Sequence, residues 1–127
     1  MKTINRCFTG LLCIVILSTL LAGCGFFGKK IAVLVIENQA DEQIQNVRIQ
    51  YTSSKEVVEI GALKPKEKYE HTINNEQEDS ITLYYTDSSG VEHEETAVGY
   101  IIKGMKGTTV LLIKNDNEGK WVVEKKK

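Results

Sequence analysis

The chain has few of the residues that supply covalent or metal cross-links. Its three cysteines are Cys7, Cys13 and Cys24, and it contains only two histidines, one proline and one tryptophan. No cysteine follows Cys24, so the rest of the chain cannot form an internal disulfide. Its stability must therefore come from a hydrophobic core, and a chain of 127 residues is long enough for one such core.

An excess of charge of one sign is also missing. The chain has 16 Lys and Arg against 17 Asp and Glu, for a net charge of −1. Proteins that bind nucleic acid usually carry a strongly basic face, so we expect no nucleic-acid partner. The one basic run is Lys125-Lys126-Lys127 at the end of the chain. We interpret it as a solvated terminus, and the alternative is a contact with anionic lipid headgroups.

One long apolar run is present, and it lies near the N-terminus. Residues 8–22 are mostly apolar and follow the positive charges of Lys2 and Arg6, which is the arrangement of an export signal. An uncleaved membrane anchor is the alternative. Spanning a bilayer takes about 20 apolar residues, however, and this run is shorter and contains Thr9 and Gly10.

The apolar run ends in Leu21-Ala22-Gly23-Cys24. This tetrapeptide resembles the lipobox of bacterial lipoproteins. The resemblance implies that Leu21, Ala22 and Gly23 are read by a signal peptidase, that residues 1–23 are removed, and that Cys24 carries the lipid. It also implies a protein anchored to the cell membrane on its extracytoplasmic face, since two acyl chains hold a protein stably on a bilayer. An ordinary signal peptide with a coincidental cysteine is the alternative, and the position of Cys24 where the apolar run ends disfavours it.

Residues 24–30 comprise the predicted lipidated cysteine and a linker of six residues. Six extended residues span at most about 20 Å, so a domain that begins at residue 31 is predicted to lie close to the bilayer. Phe26 and Phe27 lie in this linker. Their aromatic rings either enter the membrane interface, where such rings are favoured, or cover the base of the domain.

From residue 31 to residue 127 the pattern is that of short strands separated by polar turns. Alternation of apolar and polar residues is clear around Val47, Ile49 and Tyr51, and no stretch shows sustained helical spacing. The predicted strands are residues 31–36, 46–51, 57–60, 68–73, 81–86, 91–102, 109–113 and 121–123.

Two of these strands are apolar on consecutive residues. Residues 31–36 and 110–113 are therefore predicted to be central strands covered on both faces. Residues 38–42 and 115–119 read as polar turns, and residues 63–66 as a loop. Asp87-Ser88-Ser89-Gly90 predicts a hairpin, with Gly90 suited to a positive φ. Val98, Tyr100 and Ile102 are expected to continue the extended pattern of this segment.

About eight short strands without helices predict an all-β domain. We expect an antiparallel β-sandwich, with a small closed β-barrel as the alternative. Residues 60–69 resemble the leucine, turn and strand element of bacterial immunoglobulin-like and fibronectin-like modules. This resemblance implies an immunoglobulin-like sandwich, and such a fold implies no particular function.

The sequence predicts no catalytic, metal or cofactor site. His71 shares a strand face with Tyr69 and is expected to pack at the rim. His93 lies between glutamates, but Glu92 and Glu94 should point away from it, so a zinc shell is not expected. Residues 115–119 lack the closing glutamate of a calcium loop. The serines lie in polar turns outside any nucleophile-elbow motif. We therefore expect that the protein is not an enzyme.

Aromatic side chains are the remaining candidates for a binding surface, because aromatic residues dominate interface hot spots. Tyr84 falls on the polar face of its strand, and Tyr100 and Trp121 are further candidates, although burial is the better expectation for Trp121.

These observations favour a non-enzymatic interaction module that binds a protein or peptide near the membrane. An immunity-type lipoprotein that intercepts a membrane-active peptide is the alternative. A small hydrolase or carbohydrate-binding module is disfavoured because no catalytic constellation is present.

Overall fold

A computed structural model describes residues 31–126 of the chain. Within these residues it contains eight β-strands and no helix. The strands are β1 (Ala32–Asn38), β2 (Ile44–Tyr51), β3 (Val57–Leu63), β4 (Lys68–Thr72), β5 (Asp79–Thr86), β6 (Glu92–Ile101), β7 (Gly107–Asn115) and β8 (Trp121–Lys126).

The strands form two sheets of four. Sheet A has the order β4-β1-β7-β8, and sheet B has the order β3-β2-β5-β6. All neighbours are antiparallel except β1 and β7, which run parallel from the pair Ala32 and Gly107 to the pair Asn38 and Ile113. The predicted β-sandwich is confirmed, and the sheets do not close into a barrel.

The core lies between the two sheets and is built from alternate residues of the inner strands. Leu34 and Ile36 of β1 face Ile49 of β2 and Leu83 of β5, and all four are fully buried. Alternation places every second side chain of a strand on the same face, so one inward set fills the space between the sheets.

The two consecutively apolar strands, β1 and β7, are central strands of sheet A, as predicted. Their outward faces are covered unevenly. Leu112 points away from the main core and is only 4% exposed, whereas the outward-facing Val33 and Val35 are half-buried. The prediction of complete cover on both faces is therefore too strong. A two-layer sandwich buries one face of each sheet and leaves the other beside solvent.

The end of β1 differs from the predicted polar turn. Asn38 belongs to the strand and is fully buried. Its side-chain amide donates hydrogen bonds to the carbonyls of Glu42 (2.8 Å) and Leu63 (3.0 Å), and its oxygen accepts one from the amide of Ala40 (3.0 Å). Leu63, predicted to lie in a loop, is the buried last residue of β3. One buried amide thus joins the chain after β1 to the end of β3.

The extended pattern predicted through Val98, Tyr100 and Ile102 holds as far as Ile101, but its alternation is interrupted. Ile81 pairs with Val98 while the next residue, Thr82, pairs with Thr96, so β6 contains an extra residue at this point. Ala97 and Val98 are consequently both buried, and Tyr100 and Ile102 are exposed. Bulges of this kind are common in edge strands, where they interrupt the row of free backbone groups.

The hairpin between β5 and β6 is confirmed. The carboxylate of Asp87 accepts hydrogen bonds from the amides of Ser89 (2.8 Å) and Val91 (3.1 Å), and Gly90 has a φ of +84°. An L residue rarely adopts this φ, which explains the glycine.

Candidate functional site

Tyr84 lies near the middle of the outward face of sheet B. It belongs to β5, which has β2 on one side and β6 on the other, and it pairs with Arg48 and Glu94. Because β5 is an inner strand, the backbone that carries Tyr84 is held by ladders on both sides. We call this surface the Tyr84 face and define it by Arg48, Gln50, Thr82, Tyr84 and Glu94.

Arg48 covers the ring of Tyr84. The Arg48 guanidinium carbon lies 4.6 Å from the ring centroid, a cation–π geometry. Its Nη2 atom also contacts Oε1 of Glu92 at 2.5 Å. Both charged groups are partly exposed, so this ion pair orients the arginine more than it stabilises the fold. The result is a half-buried tyrosine under an ordered guanidinium.

A shallow cavity beside Tyr84 has a volume of about 210 Å³. It is lined by Gln50, Thr52, Lys55, Thr82, Tyr84 and Glu94. Pockets that enclose small ligands typically measure about 300–1,000 Å³ and are mostly apolar. The Tyr84 face instead combines one aromatic ring with charged groups of both signs, which suits contact with a polar protein or peptide surface.

The structure does not bring the other two candidate aromatics to this face. Tyr100 lies six residues along β6 from Glu94, or about 20 Å at the rise of a strand. It is 61% exposed, and a hydrogen bond from its hydroxyl to Glu78, together with the charge of Glu78, raises the Tyr100 pKa. Tyr84 and Tyr100 therefore belong to different surfaces.

Trp121 begins β8 and packs against the core. It is half-buried, and its ring centroid lies 6.3 Å from that of Tyr85. Trp121 is therefore neither fully buried nor a member of the Tyr84 face.

His93 is part of a closed cluster on the inward side of β6. Its ring stacks on that of Tyr85 at 4.7 Å, and its Nε2 donates a hydrogen bond to Oδ2 of Asp87 at 2.7 Å. Burial alone raises the Asp87 pKa, but hydrogen bonds from His93 and from the amides of Val91 and Ser89 outweigh it and hold that pKa below its ordinary value. The flanking Glu92 and Glu94 pair with outward residues of β5, as predicted from strand alternation.

His71 bridges the two sheets and is half-buried at the rim, as expected. The hydroxyl of Tyr51 accepts a hydrogen bond from the amide of Asn74 (2.9 Å) and lies 2.7 Å from Nε2 of His71. Burial lowers the His71 pKa, and the charge of Glu56 only partly offsets it. The hydrogen bond between the Tyr51 hydroxyl and Nε2 of His71 ties β4 to β2.

Two further observations concern metals and membranes. Among the residues that the structure describes, no three His, Cys, Asp or Glu side chains are grouped so that they could hold a metal ion. In the same part of the chain, no helix is long and apolar enough to cross a membrane.

The predicted peptidase site Leu21, Ala22 and Gly23 and the predicted lipid-bearing Cys24 lie outside the described residues.

Two features of the structure were not predicted from the sequence. The stacking of Arg48 on Tyr84 depends on strand pairing between residues far apart in the chain. Residue 102 was predicted to end a strand, but it lies in the loop of residues 102–106, where Ile102 is 51% exposed. The available signal for an exposed apolar turn was Ile102 followed by Lys103 and Gly104.

Comparisons with known proteins support the fold. No family model matches the chain, and no curated protein matches it. Among solved structures, the NMR structure of a protein from Eubacterium rectale is similar, with a TM-score of 0.56 and 16% sequence identity. The match covers 76% of this chain and 89% of that chain. At this identity the likeness concerns the arrangement of strands alone.

Proposed function

We propose that the mature protein begins at Cys24, is held on the extracytoplasmic face of the cell membrane by lipid on that cysteine, and acts as a non-enzymatic interaction module. The observation that carries this proposal is the tetrapeptide Leu21-Ala22-Gly23-Cys24, followed after only six residues by the first described residue of the sandwich. A linker of about 20 Å at most keeps the domain beside the bilayer.

The Tyr84 face is the surface that we assign to the partner. Tyrosine and arginine are enriched in interface hot spots, and here they form one stacked pair across the two inner strands of sheet B. Gln50, Thr82 and Glu94 around the pair offer donors and acceptors to a protein or peptide. Anchoring raises the local concentration of the module for a membrane-bound partner without adding any contact.

A photo-crosslinking residue placed at Thr82, within the Tyr84 face, tests this assignment in living cells. The matched control carries the same residue at Asn117, in the exposed turn between β7 and β8. We expect a discrete adduct from position 82 and none from position 117. Tyr84→Ala and Arg48→Ala should each remove the adduct while the domain stays folded, because both side chains lie on the outward face.

Two results would contradict the proposal. An adduct from position 82 that survives both alanine substitutions would show that the stacked pair does not recognise the partner. Loss of the cellular function in a well-folded His93→Ala variant would point instead to chemistry at the cluster of Asp87 and His93.

A further inference from the structure

One end of the sandwich can be identified from the strand register. β1 begins at Ala32, which pairs with Gly107 at the start of β7. β4 runs antiparallel and ends here at Thr72, and β8 ends here at Lys126. The chain enters the domain at this end, so we call it the anchor-side end. Because strand β1 has seven residues, the opposite end lies about 23 Å away.

Exposed apolar side chains collect at the anchor-side end. Five large apolar residues are exposed among the residues that the structure describes, and four of them lie here. Ile31 precedes β1, Val57 begins β3, and Tyr100 and Ile102 lie at the end of β6. Their exposed fractions are 48%, 45%, 61% and 51%. Only Val91, in the hairpin after β5, lies at the opposite end. Exposed apolar residues collected at one end of a domain are typical of a surface that contacts a partner or a membrane.

Lysines accompany these apolar residues on the sheet A side. Lys103 and Lys106 belong to the loop between β6 and β7, and Lys125 and Lys126 end β8. The acidic residues of this end lie on the sheet B side: Glu56, next to Lys55, with Glu76 and Glu78 in loops and Asp79 at the start of β5. Glu78 bonds to the hydroxyl of Tyr100, and Asp79 is turned inward to the amides of Ser53, Ser54 and Ser80.

The loop that presents Ile102 and Lys103 is ordered by its own hydrogen bonds. The amide of Gly104 donates to the carbonyl of Asn75 (3.0 Å), and the side chain of Asn75 donates to the carbonyl of Met105 (2.6 Å). Gly104 has a φ of +76°, which closes the turn. The apolar and basic side chains are thus displayed on a fixed turn, and contact with a surface would cost little additional ordering.

We infer that the anchor-side end lies directly on a bilayer that contains anionic lipid. Ile31, Tyr100 and Ile102 enter the headgroup region, where apolar and aromatic side chains are favoured. Lys103 and Lys106 contact the anionic headgroups. This inference rests on the proposed lipid anchor for its location, but the contact itself is carried by residues of the domain. It also fixes the orientation of the sandwich, with its strands rising from the membrane and the Tyr84 face turned sideways.

The lipidated protein in vesicles provides the test. Ile102→Trp in a Trp121→Phe background places the only tryptophan of that variant in the anchor-side end. The wild-type protein, whose only tryptophan is Trp121, reports the fluorescence of the opposite end. Vesicles of phosphatidylcholine with brominated acyl chains, with or without phosphatidylglycerol, serve as probes. We expect quenching and a blue shift for Ile102→Trp, stronger with phosphatidylglycerol, and no quenching of Trp121.

Lys103→Glu with Lys106→Glu should reduce the extra quenching that phosphatidylglycerol produces. Each lysine near an anionic surface contributes about fivefold to association, so the effect should be large. Lys120→Glu, in the turn at the opposite end, is the matched control and should change nothing.

The outcomes separate this inference from the proposed function. If mass analysis shows lipid on Cys24 but Ile102→Trp is not quenched, the membrane contact is wrong and the anchor stands. If Cys24 carries no lipid but the unmodified chain is still quenched at position 102, the proposed anchor is wrong and the contact stands. Equal quenching with and without phosphatidylglycerol would overturn the role of the lysines.

Discussion

Asn38→Ala is the substitution whose cost follows most directly from the structure. Asn38 is fully buried, and its side chain satisfies the carbonyls of Glu42 and Leu63 and the amide of Ala40. Alanine removes all three hydrogen bonds and leaves three polar backbone groups without this partner. Each buried group left without a partner costs about 1–3 kcal/mol, so three such groups predict a loss of about 3–9 kcal/mol. Domains of this size are stable by about 5–15 kcal/mol in total.

Equilibrium unfolding in urea measures this loss. The midpoint should fall strongly while the slope of free energy against urea stays constant, because the surface exposed on unfolding is unchanged. Asn117→Ala is the matched control: Asn117 is exposed in a turn, and its loss should cost no more than about 0.5 kcal/mol. If both variants unfolded at the same urea concentration as the wild type, the account of this buried junction would be refuted.

Asn38→Asp sharpens the same test. In Asn38→Asp, one carboxylate oxygen can still accept the hydrogen bond from the amide of Ala40. The other oxygen replaces the side-chain nitrogen and faces the carbonyls of Glu42 and Leu63, to which that nitrogen donated hydrogen bonds. Burial disfavours the charged form, so the pKa of the new carboxyl should be raised. The variant should be far less stable than the wild type at neutral pH, and the gap should narrow as the pH falls and the carboxyl gains a proton that it can donate. A gap independent of pH would contradict this reading.

Three further predictions concern titration. The His71 pKa is lowered from 6.5, so the unfolded chain takes up a proton at a higher pH than the folded protein does. The stability due to this difference is complete above about pH 6.5 and declines as the pH falls through the folded-state pKa. His71→Gln should remove this component from the plot of stability against pH. Burial alone would raise the Asp79 pKa, but hydrogen bonds from three backbone amides outweigh it and lower that pKa from 3.8. The resulting stability is complete above about pH 3.8 and is lost as the pH falls through the lower folded-state pKa. Asp79→Asn should cost about 1.5–3 kcal/mol in urea unfolding at pH 7. Burial raises the pKa of Tyr85 to about 12, and the last component of the tyrosine absorbance titration should disappear in Tyr85→Phe.

Much of the fold follows from local sequence. Alternation of apolar and polar residues predicts the eight strands, because each strand must bury one face against a second sheet. The hairpin at Asp87 and Gly90 is similarly local, since the side-chain bonds and the positive φ arise within five residues.

The predictions that failed share one physical cause. The features concerned depend on contacts between residues that are far apart in the chain. Asn38 reads as a turn residue by propensity, but its partners at Leu63 make it a buried strand residue. The alternation after Thr96 fails because a bulge in β6 shifts the pairing with β5 by one residue. Neither feature has a signal in the local pattern.

The candidate surfaces could be predicted only in part. The outward position of Tyr84 follows from alternation along β5, but the stacking of Arg48 requires the pairing of β2 with β5. The anchor-side end requires the order of all eight strands, because it joins Ile31 to residues about 70 positions further along the chain.

Intact-mass analysis of the protein purified from the membrane fraction tests the central claim most directly. The account predicts a chain that begins at Cys24 and carries a diacylglyceryl group, and a Cys24→Ala variant that lacks the lipid although residues 31–126 still fold. A wild-type chain that retains residues 1–23, or that begins elsewhere without lipid, would contradict it.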